Sequence, residues 1–100
     1  MSLPMPPFPR FRFVLYVADD TQNSALAIAN LKAICETRLP DRHEIEVVDV
    51  FKNPQRALSD RIFMTPTLIR LAPAPVRRIV GTLGQTEKVL YALGLEAVAA

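Results

Sequence analysis

The feature that most constrains the fold of this chain is a strand, helix, strand pattern across residues 11–50. Residues 11–17 are aromatic, β-branched and almost continuously apolar, which predicts a central strand covered on both faces. Residues 44–50 alternate acidic and β-branched side chains, which predicts a second strand that is partly solvated on one side. Strands joined by a helical crossover are parallel and the crossover is right-handed, so the first half predicts a β-α-β unit.

The segment between the two strands has the periodicity of an amphipathic helix. Apolar side chains recur at helical spacing from Ala27 to Cys35, and charged side chains fall largely on other faces. The polar run 19–24 supplies several N-cap candidates. We therefore expect a helix that begins near Ser24 and ends near Pro40.

The second half of the chain is less regular. Asn53 followed by Pro54 is typical of an N-cap with proline at the first helical position, which predicts a short helix that ends near Arg61. Residues 64–71 and 76–81 are short strand-like segments on either side of a proline-rich turn, and they predict a β-hairpin.

The last part of the chain is compatible with two structures. Thr86 is a candidate cap for a final helix that ends near Gly94. Residues 88–93 form a short apolar run, however, and such a run fits a strand as well as a helix. The sequence leaves both assignments open.

Size and composition limit the organisation and the compartment of the chain. One hundred residues suffice for one compact domain, so we expect a flexible, proline-rich tail at residues 1–10 and a single domain at residues 11–100. Cys35 is the only cysteine, which excludes an intramolecular disulfide and favours a reducing compartment, the cytoplasm. No stretch approaches the roughly 20 apolar residues of a membrane span.

The formal net charge of +2 is unevenly distributed. Residues 13–51 contain three basic and seven acidic side chains, whereas residues 52–78 contain six basic side chains and one acidic one. The second segment is therefore a candidate basic patch, and an ordinary solvated surface explains each charge equally well. Nucleic acid is not an expected partner, because neither an aromatic stacking platform nor a recognition helix accompanies these charges.

The order of the predicted elements, βαβ-α-ββ-α, resembles the thioredoxin fold, in which helices cover both faces of a mixed α/β sheet. The Thr-Pro dipeptide at residues 65–66 strengthens the resemblance, because such a dipeptide carries a cis peptide in that fold. Thioredoxin chemistry needs a thiolate at the start of the first helix, and residues 20–24 contain no cysteine. Cys35 lies about three turns further along the apolar stripe, and we expect it to be structural.

Other catalytic or metal-binding groups are not predicted. His43 is the only histidine and has no cysteine or second histidine to complete a metal site, so we expect a surface residue. Asp19 and Asp20 are explained by a turn and by the N-terminus of a helix. No glycine-rich phosphate loop is present, and we expect neither a metal nor a cofactor.

Several blocks of sequence, taken together and in order, resemble the KaiB family. They are Leu-Tyr-Val-Ala at residues 15–18, Asn-Ser at residues 23–24, Val-Asp-Val at residues 48–50, Lys-Asn-Pro-Gln at residues 52–55, Thr-Pro-Thr-Leu at residues 65–68 and Pro-Val-Arg-Arg-Ile-Val-Gly at residues 75–81. The resemblance extends from about Phe11 to Leu95 and covers nearly the whole predicted domain.

The resemblance implies a clock-type regulator without enzymatic activity, which binds a KaiC-like ATPase and modulates its phosphorylation and ATPase cycle by fold switching. The two implied folds are the thioredoxin-like arrangement and a KaiB ground-state arrangement, βαββααβ, in which the C-terminal half packs differently. The resemblance also implies self-association to a dimer or a tetramer. Further implied partners are KaiA and a KaiB-like sensor kinase that competes for the same site.

Residue roles follow from the resemblance by position. The implied partner-binding residues are Arg56, Asp60, Arg61, Met64, Arg77 and Arg78. The implied fold-switch residues are Phe11, Pro66, Ala92 and Gly94. Two arginines at the end of a hairpin also have a simpler interpretation, which is that they keep a sheet edge soluble.

Departures from the family pattern keep other functions open. Residues 19–22 are Asp-Asp-Thr-Gln where the family usually has Gly-Asn-Thr-Pro, and Ala74 interrupts a run of three prolines. One alternative is therefore a stress-response signalling adaptor in a KaiB–KaiC system that lacks KaiA. The other alternative is a single-cysteine thioredoxin-like redox protein that uses Cys35.

Overall fold

A computed structural model of the chain describes residues 10–19 and 21–95. In this part of the chain the elements are β1 (Phe11–Val17), α1 (Gln22–Arg38), β2 (His43–Asp49), α2 (Pro54–Ser59), β3 (Thr67–Ala72), β4 (Arg77–Val80) and α3 (Thr86–Ala92). The predicted tail at residues 1–10 lies outside the described residues except for Arg10. None of the described helices is long and apolar enough to cross a membrane.

The described strands form one mixed sheet in the order β2-β1-β3-β4. β1 runs parallel to β2 and antiparallel to β3, and β4 pairs with β3 as the second strand of a hairpin. The predicted β-α-β unit and the predicted hairpin are both confirmed. β1 is central, as predicted, and every side chain from Phe13 to Val17 is buried because helices cover both faces of the sheet there.

Alternate side chains of β1 contribute to two apolar cores. Leu15 packs with Leu31 of α1 and Leu90 of α3 on one side of the sheet, which we call the α1/α3 face. Tyr16 packs with Ala57 of α2 on the opposite side, which we call the α2 face. Successive strand residues point to opposite faces, so one unbroken apolar run fills both cores.

Helix α1 begins at Gln22, slightly before the predicted start at Ser24. Thr21 is the N-cap, and its Oγ1 accepts a hydrogen bond from the backbone N–H of Ser24 at 3.2 Å. Ser24 instead lies buried in the first turn, where its Oγ accepts a hydrogen bond from the backbone N–H of Ala18 at 3.0 Å. The predicted apolar stripe is confirmed, since its buried residues include Ala27, Leu31, Ile34 and Cys35.

The predicted ends of the two shorter helices were partly wrong. α2 ends before Arg61, whose φ of 55° is incompatible with a right-handed helix. Asn53 occupies the N-cap position of α2 without a side-chain cap, because its Nδ2 donates to the carbonyl oxygen of Asp49 at 3.2 Å. At α3 the N-cap is Gln85, and Thr86 is the first helical residue.

The segment that fitted both a helix and a strand is helical, because α3 covers most of residues 88–93. Gly94 follows the helix with φ of 71°, the left-handed conformation common just past a helix end. The backbone N–H of Leu95 donates to the carbonyl oxygen of Leu90 at 2.7 Å and closes the last turn. The chain therefore has the thioredoxin-like arrangement. The peptide bonds before Pro66, Pro73 and Pro75 are cis.

We expect Leu31→Ala to lower the free energy of unfolding by about 2 to 5 kcal/mol, because Leu31 is fully buried and its truncation leaves a cavity. Leu26→Ala is the matched control, since Leu26 lies on the same helix with an exposed side chain, and its effect should stay below about 1 kcal/mol. Urea unfolding followed by circular dichroism measures both. Equal losses in the two variants would contradict the position of the α1 stripe.

Candidate protein-binding surface

The implied partner-binding residues lie on both faces of the sheet. Four of them belong to α2 and to the loop that follows it, namely Arg56, Asp60, Arg61 and Met64. Arg78 of β4 joins them, because its guanidinium donates to the carbonyl oxygens of Asp60 and Arg61, the latter at 3.3 Å. Arg77 precedes Arg78 in the same strand and therefore points to the α1/α3 face. The structure thus brings five of the six together.

Asp60 holds the end of α2 against the sheet. The hydroxyl of Tyr16, a fully buried side chain of β1, donates a hydrogen bond to Asp60 Oδ2. Burial, this hydrogen bond and the negative charge of Asp60 raise the pKa of Tyr16 to about 12. Arg78 binds the backbone of residues 60–61 from β4, so two strands fix the start of the loop after α2.

The positive charge of Arg56 is compensated by the carboxylate of Glu46 in β2. Its Nη1 and Nη2 donate to Glu46 Oε2 and Oε1 at 2.6 and 2.7 Å, a bidentate pair that lowers the pKa of Glu46. Both side chains are exposed, so the pair contributes little to stability. Arg70 is buried and Arg77 lies on the other face, so the basic side chains of residues 52–78 do not form one continuous patch.

The region of α2 also exposes four large apolar side chains. The exposed fractions are 72% for Phe51, 70% for Leu58, 83% for Phe63 and 64% for Met64. We call these four residues, together with the exposed Arg61, the α2 surface. Only Met64 and Arg61 are among the residues predicted from the sequence. Phe51, Leu58 and Phe63 could have been identified from the sequence as exposed, because their positions follow neither a helical nor a strand period.

A buried arginine of β3, which the sequence predictions omit, ties the second half of the chain together. Arg70 is only 6% exposed. Its Nη1 donates to the carbonyl oxygen of Leu93 at 2.5 Å, and its Nη2 donates to the carbonyl oxygen of Pro75 at 2.7 Å. Arg70 therefore joins the end of α3 and the proline-rich turn to the sheet. Burial lowers the pKa of Arg70, and so does the neighbouring charge of Arg77.

Three of the implied fold-switch residues surround Arg70. Its guanidinium carbon lies 5.9 Å from the centre of the Phe11 ring. A Cβ on Gly94 would lie 3.5 Å from its Nη1, and Ala92 lines the same cleft as Arg70. Pro66 lies apart from this group, where its carbonyl oxygen accepts a hydrogen bond from the backbone N–H of Gly81 at 2.9 Å.

Cys35 and His43 are both held by the fold. Cys35 is fully buried on the apolar stripe of α1, as predicted, and burial together with the charge of Glu36 raises the pKa of its thiol to about 11. His43 was expected on the surface, but it is half-buried and its Nδ1 donates to the carbonyl oxygen of Leu39 at 2.7 Å. Within residues 10–19 and 21–95, no group of His, Cys, Asp and Glu side chains could hold a metal ion.

The fold and the surface define a class, a thioredoxin-like domain whose first helix begins without a cysteine and whose second helix is flanked by exposed apolar side chains. Chloroplastic thioredoxin z is similar, with a TM-score of 0.71 and 21% identity over 86% of this chain and 78% of that chain. The N-terminal domain of Synechococcus elongatus SasA has a TM-score of 0.71 and 17% identity, and it covers 100% of this chain and 98% of its own. At these identities, the likeness shows the fold.

Sequence relatives are more specific. The KaiB domain family matches residues 14–95. The circadian clock protein KaiB3 of Synechocystis sp. is 45% identical over 84 residues, which are 84% of this chain and 80% of that protein. The circadian clock oscillator protein KaiB of Synechococcus elongatus is 46% identical over 91 residues, which are 91% of this chain and 89% of that protein. The chain belongs to the KaiB family.

We expect Tyr16→Phe to lower the free energy of unfolding by about 2 kcal/mol at neutral pH, because the hydrogen bond to Asp60 is lost. An unfolded tyrosine titrates near pH 10, and the folded pKa of Tyr16 is about 12. The stabilisation from neutral Tyr16 is therefore complete below about pH 10 and is lost as the pH rises towards 12.

Urea unfolding of the wild type and the variant at neutral pH and at several alkaline pH values measures this difference. Tyr91→Phe is the control, because Tyr91 is exposed and its hydroxyl makes no hydrogen bond to Asp60. A difference between wild type and Tyr16→Phe that stays constant up to pH 12 would contradict the assigned role of the hydroxyl.

Proposed function

We propose that this chain is a non-enzymatic clock-type regulator that binds a KaiC-like ATPase through the α2 surface and changes the phosphorylation and ATP-hydrolysis cycle of that ATPase. Family membership supports the proposal, because relatives at 45% and 46% identity are circadian clock proteins by name. The observation that carries it is the group of exposed large apolar side chains beside α2, namely Phe51, Leu58, Phe63 and Met64.

The composition of the α2 surface is that of a protein interface. Exposed apolar residues are ordinary when they are scattered along a chain, but these four fall within residues 51–64, and such a concentration favours an interaction site. Aromatic residues, Met and Arg are enriched at protein–protein interfaces, and Phe63, Met64 and Arg61 are of these types. Burial of one large apolar side chain contributes about 1.5 to 3 kcal/mol, so Phe63 and Met64 together offset part of the free-energy cost of association.

The anchoring of residues 60–61 favours binding. Tyr16 holds the Asp60 side chain, and Arg78 holds the backbone of both residues. A loop that is fixed before binding loses less conformational freedom in the complex, which raises affinity. Asp60 and Arg78 therefore act in this proposal mainly by positioning Phe63 and Met64, and Arg61 contacts the partner.

We also infer that the thioredoxin-like arrangement is the binding form and that it exchanges with βαββααβ. Two packings of one sequence coexist when they differ by only a few kcal/mol. α3 has seven residues, and so short a helix depends on packing. Phe11, Ala92 and Gly94 surround Arg70, which holds α3, and Pro66 begins the hairpin, so these four residues are suited to shift the balance.

Other partners follow from the same proposal. In the cytoplasm the chain would also recruit KaiA, and a KaiB-like sensor kinase would compete for the same site on the KaiC-like ATPase. The βαββααβ form is the one that would self-associate to a dimer or a tetramer.

We expect the double variant Phe63→Ser, Met64→Ser to bind the KaiC homologue of the same genome at least about tenfold more weakly, because two apolar contacts are lost. Leu26→Ser is the matched control, since Leu26 is an exposed apolar residue of α1. Isothermal titration after hours of incubation gives the affinities, and the ATPase rate of the homologue gives the effect. Undiminished affinity of the double variant, or no complex with the wild type, would refute the proposal.

We expect Gly94→Ala to disfavour the thioredoxin-like arrangement by about 1 kcal/mol, because a residue with a Cβ strains at φ of 71°. Gly84→Ala is the control, since Gly84 is a loop glycine without a positive φ. Amide NMR of residues 86–95 measures the populations of the two forms. If the two alanine variants leave the same population of helical α3, Gly94 has no role in the switch.

A further inference from the structure

A cleft of about 420 Å³ lies on the α1/α3 face, on the opposite side of the sheet from the α2 surface. It is lined by Arg70, Arg77, Tyr91, Ala92 and Gly94. Clefts of roughly 300 to 1,000 Å³ are the size of small-molecule sites. Its lining among residues 10–19 and 21–95 contains two cationic side chains and a phenol, without a carboxylate.

The two arginines are direct neighbours in the sheet. Arg70 of β3 pairs with Arg77 of β4 in the antiparallel register, so both side chains stand on the same face. Like charges in directly opposite positions destabilise a pair of strands. Neither arginine forms an ion pair with a carboxylate of the described residues. Two adjacent positive charges therefore have no counter-charge from the part of the chain that the structure describes.

Arg70 also has unused hydrogen-bonding capacity. A guanidinium has five N–H donors, and the described contacts of Arg70 are one bond from Nη1 and one from Nη2. Its Nε is buried and has no partner. A buried cation whose only acceptors are neutral carbonyl oxygens is costly in a folded chain unless an anion approaches it. The side chain of Arg77 is exposed, so its guanidinium can orient towards an anion bound at Arg70.

We propose that this cleft binds the phosphate group of a small molecule between Arg70 and Arg77, with Tyr91 at the rim. A phosphate group carries about −1.5 to −2 charges at neutral pH, which matches two guanidinium groups better than the single charge of a carboxylate does. Its oxygens accept the hydrogen bonds that two arginine forks offer.

Phosphate binding in this cleft would stabilise the packing of the second half of the chain. Arg70 already holds Leu93 and Pro75, so an anion at its guanidinium bridges β3 and β4 beside the end of α3. A ligand that binds the folded arrangement and not a rearranged one stabilises it by mass action. Phosphate binding and the thioredoxin-like arrangement therefore reinforce each other. This inference is independent of KaiC binding, because the cleft and the α2 surface share no residue.

The test is an amide NMR titration of the full chain with orthophosphate, phenyl phosphate and acetate at constant ionic strength and neutral pH. We expect saturable shifts at residues 70–77 and 91–94 with both phosphates, and at least about tenfold weaker binding of acetate. The two phosphate arms distinguish the free ion from an ester, because an ester-specific site binds phenyl phosphate more tightly.

Arg77→Gln is the informative variant, because Arg77 is exposed and its replacement leaves Arg70 and the core in place. We expect phosphate binding at least about tenfold weaker in Arg77→Gln and unchanged within about twofold in Arg38→Gln, an exposed arginine of α1. Without phosphate, Arg77→Gln should unfold at no lower temperature than the wild type, since a like-charge pair is removed.

Three results would overturn the inference. They are the absence of a saturable shift with either phosphate, equal phosphate affinity in Arg77→Gln and the wild type, and equal affinity for acetate and phenyl phosphate. The last of these would identify a site for carboxylates instead.

Discussion

The burial of β1 on both faces is the constraint on which the other elements depend. Leu15 fills the core under α1 and α3, and Tyr16 fills the core under α2, so both helical layers are required to cover one strand. Tyr16 also carries a hydroxyl into an apolar layer, and a buried hydroxyl needs a partner. Asp60 provides it, and this bond fixes the end of α2. The start of the loop that carries the exposed Phe63 is therefore fixed by a residue of β1.

The alternation of side chains along β4 assigns its two arginines to different surfaces. Arg78 binds the backbone after α2, whereas Arg77 stands beside Arg70 on the other face. One strand of four residues thus supports the candidate protein-binding surface on one side and a cationic cleft on the other. A shift of the β4 register by one residue would exchange the faces of both side chains, so the pairing of β3 with β4 controls both surfaces together.

The sequence predicts those parts of the fold in which one periodic pattern matches one buried face. β1 and α1 are long enough for burial to set such a pattern, and both were predicted correctly apart from the start of α1. That start depends on whether Ser24 caps the helix or accepts a bond from Ala18, which is a tertiary contact. Arg70 shows the limit most clearly. Its burial depends on carbonyl groups 5 and 23 residues away, and no local pattern encodes acceptors at that distance.

The burial of Cys35 has a consequence for how this domain receives information. Burial raises the pKa of the Cys35 thiol to about 11, so the thiol is protonated at neutral pH, and the core keeps oxidants away from it. Thioredoxins exchange electrons with the thiol pool of the cell through the same scaffold. In this chain the same scaffold does not exchange electrons in its folded form, because oxidation of the Cys35 sulfur requires the core to open first. A redox signal therefore reaches this sulfur only after the core has opened, whereas a ligand or a protein can bind the folded domain directly.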